Sequence, residues 1–128
     1  MIRRICLSGA LVMLAAPAFA AVPDAACNEP TLPTMPNGRT APAADIVAAA
    51  NNVKAYVASS DAYQQCLKDA LDKMEVAAKD TKTPLDPKVK ADLERKGDAN
   101  QAKKEQLGAS YAAVAAAYRA SHPAPAKK

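Results

Sequence analysis

The sequence predicts an all-α protein: a long antiparallel helical hairpin with an N-terminal proline-rich extended segment docked on the first helix by a disulfide. Three observations carry this. From Thr40 to Asp80 the only helix breaker is Pro42, and alanine, the strongest helix former, dominates. A second long stretch of the same character begins at Pro87, after a polar break over residues 81–86. Cys27 and Cys66 are the two cysteines beyond an apolar leader, and they are far apart in sequence.

The leader comes first in the chain. Arg3 and Arg4 precede an apolar run from Ile5 to Ala16, and Ala18, Phe19 and Ala20 place small residues where a signal peptidase reads. Residues 1–20 therefore read as a signal peptide cut after Ala20, and the run is too short to span a bilayer. Asp24 stands where a lipoprotein signal requires an aliphatic residue, so Cys27 is not read as a lipidation site. Two of the 17 Lys and Arg leave with the leader, so 15 bases remain against 13 acids, a net charge of +2. The bases also alternate with acids, as in Lys68-Asp69, Asp72-Lys73 and Lys79-Asp80, which is a solvated helix face and not a nucleic-acid surface.

Residues 21–40 form the second unit, a proline-rich extended segment. Pro30, Pro33 and Pro36 recur every third residue. Polyproline II has three residues per turn, so these prolines make one ridge of an extended rod. Asn37-Gly38 supplies a turn able to take positive φ. The helical hairpin spans residues 41–120. Thr40 is read as its N-cap, with Pro42 in the first turn, where a missing amide hydrogen costs nothing.

Along helix one, steps of three and four pick out Ile46, Ala50, Val53, Val57, Ser60, Gln64, Leu67, Leu71, Met74 and Ala78, and a second set of Ala49, Tyr56, Tyr63, Cys66 and Ala70 lies beside it. An apolar arc this wide calls for two packing partners. Asp86 followed by Pro87 starts helix two, which runs to about Arg119 past a weak point at Gly97-Asp98. Its middle is almost wholly polar, so its grip is expected in the C-terminal third, at Leu107, Tyr111, Val114 and Tyr118. A short loop makes the helices antiparallel neighbours, and a turn centred between 80 and 87 sets Tyr56 level with Tyr111, Ala49 with Tyr118, and Tyr63 near Lys104 and Leu107. Residues 121–128, with two prolines and two terminal lysines, read as a disordered tail.

Lengths support the staple. The 26 residues from Thr40 to Cys66 cover about 39 Å as a helix, and the 13 from Thr40 back to Cys27 cover about 40 Å as polyproline II. In an oxidising compartment Cys27 and Cys66 then pair, with Pro30 between Tyr56 and Tyr63, Pro33 close to Val53 and Tyr56, and Pro36 near Ile46 and Ala49. The pattern Cys27-x-x-Pro30-x-x-Pro33-x-x-Pro36-x-Gly38, followed by Val53-Lys54-x-Tyr56 and Tyr63-x-x-Cys66-Leu67, resembles small exported helical proteins of proteobacteria. The resemblance covers residues 27–67 and implies a fold and a compartment, with no activity attached.

Candidate chemistry is sparse. The one histidine, His122, lies in the tail beside a proline, and no C-x-x-C, zinc spacing, EF-hand loop or glycine-rich phosphate loop occurs. Asp69, Asp72 and Glu75 recur at three-residue steps and read as a solvated face paired with Lys68, Lys73 and Lys79. The expectation is thus a non-enzymatic periplasmic or secreted protein, without catalytic residues, metal or cofactor, whose partner is another envelope protein or a second copy of itself. The alternative is a periplasmic carrier of a small molecule or metal. Contact of the lysine-ended tail with an anionic membrane surface is expected to be weak.

Overall fold

The structure, a computed structural model, describes residues 27–123, so the predicted signal peptide, residues 21–26 of the proline-rich segment and the last five residues of the predicted tail lie outside the described part. Two helices, α1 (Ala43–Thr81) and α2 (Pro87–Ser121), form the predicted hairpin, and residues 27–37 run beside them without helix or strand. Cys27 and Cys66 are joined by a disulfide, their Cα atoms 5.8 Å apart.

Helix α1 starts later than the Thr40 cap implies. Its N-cap is Pro42, extended at φ −66° and ψ 158° and with no side-chain cap. The reason is local: a residue before proline is pushed out of the α region, so Ala41 cannot be the first helical residue. Thr40 belongs instead to a turn in which its amide and that of Ala41 donate to the Asn37 carbonyl oxygen, while Arg39 N donates to Asn37 Oδ1 at 3.0 Å. Gly38 does not have positive φ. It is buried, and a Cβ there would collide with the Val114 carbonyl oxygen and lie 3.0 Å from Ala117 Cβ. Glycine is needed here for closeness to α2, not for backbone conformation.

The other boundaries follow common chemistry. Lys82, at φ 53°, closes α1 in the left-handed conformation, and Thr83 N donates back to Ala78 O at 3.0 Å. Asp86 caps α2 by accepting from Lys88 N at 2.8 Å, with Pro87 at the first helical position. The helix then continues unbroken through Gly97, where an added Cβ would meet nothing within 4 Å, so no neighbour forces a break. It ends at Ser121, inside the segment read as tail. His122 remains attached, its amide donating to Tyr118 O and its ring stacked on Tyr118 at 4.3 Å between centroids.

Packing is more regular than the loose set of steps read from sequence. The buried residues of α1 are Ile46, Ala49, Tyr56, Ser60, Tyr63, Leu67 and Ala70, and half-buried Val53 and Met74 complete two series at seven-residue spacing. This is a coiled-coil seam. On α2 the buried residues are Leu93, Asn100 and Leu107, again seven apart. The grip of α2 is therefore spread over its polar middle, whereas Tyr111, Val114 and Tyr118, expected to hold it, are only half-buried. Ser60 and Asn100 expose no surface at all, and Asn100 accepts from Gln64 Nε2 at 3.0 Å while its own amide faces Ser60 Oγ at 3.4 Å. A buried, satisfied polar layer of this kind fixes register.

Asp61 meets Lys104 at 2.5 Å and Glu75 meets Lys90 at 3.2 Å, so the helices face each other close to the alignment that a turn centred between 80 and 87 gives. The αL turn at Lys82 ends α1 abruptly, and Leu93 inserts beside Tyr63 and Leu67 in the main apolar cluster, with Cys27, Leu71, Met74 and Val89 at its edge.

Candidate functional site

The most built region of the surface is where residues 27–37 meet the helices. Cys27, Pro30, Pro33 and Pro36 are each half-buried, as is Met35 beside the last of them, while Asn28, Glu29, Thr31, Leu32 and Thr34 are exposed. A three-residue period of burial is the signature of polyproline II lying on one edge. The segment does not rest on α1 alone. Pro30, Thr31 and Pro33 share a groove with Asn52, Ala55, Tyr56 and Ser59 of α1, but Glu29 accepts a hydrogen bond from Lys103 Nζ of α2 at 2.6 Å, and Gly38 abuts Val114 and Ala117 of α2. The second partner that the wide arc of α1 demands is thus a strap that spans both helices.

Beneath it lie Tyr56 and Tyr63, exposed by only 4% and 6%. The Tyr56 hydroxyl is buried without a hydrogen-bond partner. Leaving such a group unsatisfied costs about 1–3 kcal/mol. Burial pushes the Tyr63 hydroxyl above its ordinary pKa, and the Glu29 carboxylate adds to the effect. Lys103 is raised by its hydrogen bond to Glu29, against a smaller opposing effect of burial. Electrostatically the strap edge therefore consists of one ion pair over two neutral phenols. That arrangement can hold a segment in place.

Along the outer face of α1, three carboxylates have surface partners. Asp72 takes Lys68 at 2.7 Å, Asp69 accepts from Gln65, and Glu75 reaches across to Lys90 on α2, so of the three lysines expected along this stripe Lys68 is the one bonded to it, and Lys73 and Lys79 are not the partners of Asp69 and Glu75. Among the described residues no three His, Cys, Asp or Glu side chains converge to hold a metal ion, and no helix is long and apolar enough to cross a membrane.

Of the residues singled out from sequence, Cys27, Cys66, Pro30, Pro33, Tyr56 and Tyr63 gather along the strap. Pro36 lies at its far end, next to the turn at Asn37, while Tyr111 and Tyr118 are on the last turns of α2. Sequence reasoning placed Ser60 and Gln64 on the packed face of α1 but missed Glu29, Lys103 and Asn100, the α2 partner of that layer. For Asn100 a signal existed: it falls midway between Leu93 and Leu107 at heptad spacing. For the Glu29–Lys103 pair none did, because 74 residues separate them. Compared with known protein families, curated proteins and solved structures, the chain matches none.

Proposed function

We infer that this is a non-enzymatic exported protein that acts by protein–protein interaction in the cell envelope, with another envelope protein or a second copy as partner. The observation supporting this reading is the apolar surface the hairpin leaves uncovered. Val47 is 61% exposed near one end of α1 and Val76 is 56% exposed near the other, and Tyr111, Val114 and Tyr118 stay half-exposed on α2. Covering such surface is the favourable contribution to association, set against the freedom the partners lose on binding. The test is light scattering of the mature protein together with crosslinking capture from its native envelope, using Val47→Asp and Val76→Asp as controls. The expected result is an oligomer or a reproducible partner that the aspartate variants lose. A monomer that captures nothing contradicts the reading.

The carrier reading has one observation of its own, the unpartnered Tyr56 hydroxyl close to the groove of Pro30, Pro33, Asn52 and Ser59. Native mass spectrometry of protein taken from its source separates the two. A bound small molecule or metal favours the carrier. Export itself is checked by intact mass, with a mature chain beginning at Ala21 as the expected outcome.

A further inference from the structure

We propose that the Cys27–Cys66 disulfide is a redox-released catch for the strap of residues 27–37, and that its reduction uncovers the Tyr56 and Tyr63 face while leaving the hairpin folded. The first support is how little else holds the strap. Among the described residues, no backbone hydrogen bond joins positions 27–36 to either helix; the backbone bonds of this region begin at the Asn37 turn. The side-chain tie is Glu29 to Lys103, whose side chains are 40% and 42% exposed, an ion pair of the weak surface kind. The remaining contact is packing of half-buried prolines, Met35 and Cys27 itself. A segment fixed covalently at one end, by a close-packed turn at the other and by little between is a unit that opens locally.

The second support is the buried Tyr56 hydroxyl, which lacks a partner in the closed arrangement and gains water when the strap lifts. The hairpin, by contrast, keeps its own seam. Leu67 against Leu93 and the Ser60, Gln64 and Asn100 layer lie between the two helices, and Cys27 is the strap residue packed at the edge of that apolar cluster.

The catch is also reachable. Cys27 and Cys66 are half-buried and line an open groove with Ala62, Asp69 and Lys73. The reductant is a dithiol, small or protein-borne. One of its thiolates attacks a sulfur of the pair and expels the other cysteine as a thiolate, giving a mixed disulfide. Its second thiol then displaces the attached cysteine. The chain gains two electrons and two protons as two cysteine thiols, and the dithiol leaves as its disulfide.

The test uses the mature protein. Acrylamide quenching of tyrosine fluorescence is measured oxidised, after dithiothreitol, and after re-oxidation, with far-UV circular dichroism alongside. The Cys27→Ser/Cys66→Ser variant, which has no thiol to compete, is nitrated with tetranitromethane and mapped by peptide mass. The expected result is quenching that rises on reduction and returns on re-oxidation at constant helix signal, with nitration of Tyr56 and Tyr63 up by about tenfold relative to Tyr111. Unchanged tyrosine accessibility means the strap stays docked without the disulfide, and loss of helix signal means the disulfide holds the hairpin itself. Either result overturns the proposal.

Discussion

Lys82 is the one non-glycine residue with positive φ among those described, and it closes α1 where glycine is the usual choice. A side chain in the left-handed region costs roughly 1 kcal/mol. Lys82→Gly is accordingly expected to raise stability by about that amount, less the extra chain entropy of glycine, so thermal melting should move up by a few degrees. Tyr56 gives a sharper contrast. Tyr56→Phe keeps the ring against Pro30 and Pro33 and removes an unsatisfied hydroxyl, so it is expected to gain about 1 kcal/mol. Tyr56→Ala removes the ring and is expected to lose about 3–5 kcal/mol. Urea unfolding of the pair checks both signs, and a destabilised phenylalanine variant would show that the hydroxyl has a partner, such as a bound water or ligand.

At the scale of the element, the hairpin is governed by the position of one amide. Asn100 sits at the centre of α2, fully buried and bonded to Gln64 and Ser60. Asn100→Ala removes the partner of the buried Ser60 hydroxyl and leaves Gln64 Nε2 its longer bond to Gln101, and should cost about 1–3 kcal/mol in urea unfolding. Asn100→Leu removes the amide but fills its volume. Equal stability accompanied by broadened NMR resonances or a changed oligomeric state is the expected outcome, because a wholly apolar seam permits more than one alignment. A sharply defined monomer with unchanged chemical shifts elsewhere would remove register from the roles of this residue. The helices themselves are legible as elements because alanine content, Asp86-Pro87 and the break over 81–86 act within a few residues of each other. The start of α1 is harder to place, because the restriction that Pro42 imposes on Ala41 outweighs the capping preference of Thr40.

For the whole molecule, the strap ties stability to pH on the alkaline side. Tyr63 has its pKa raised in the folded chain by burial and by Glu29, so its contribution is complete below the unfolded value of about 10 and is lost as pH rises through the folded one. Lys103, raised by its hydrogen bond to Glu29, acts in the same direction from an unfolded value of about 10.4. Melting temperature is therefore expected to fall above about pH 10 together with the rise of tyrosinate absorbance, and Glu29→Gln should shift that absorbance to lower pH at Tyr63. A flat melting profile through this range would mean that Tyr63 titrates in water.

Local chemistry written into the sequence determined the all-helical hairpin, its loop, the cap at Asp86, the three-residue period of the prolines and, through matched lengths of helix and rod, the Cys27–Cys66 pairing. These depend on residues near one another or on distances that geometry fixes. Only the tertiary structure decided the burial of Asn100 within a stretch that reads as polar, the close approach of Gly38 to Val114, and the reach of the strap across to Lys103. Each of these depends on which residues far apart in the chain come to share a space, and that is settled by packing volume and hydrogen-bond satisfaction over the whole assembly, not by the preference of any one segment.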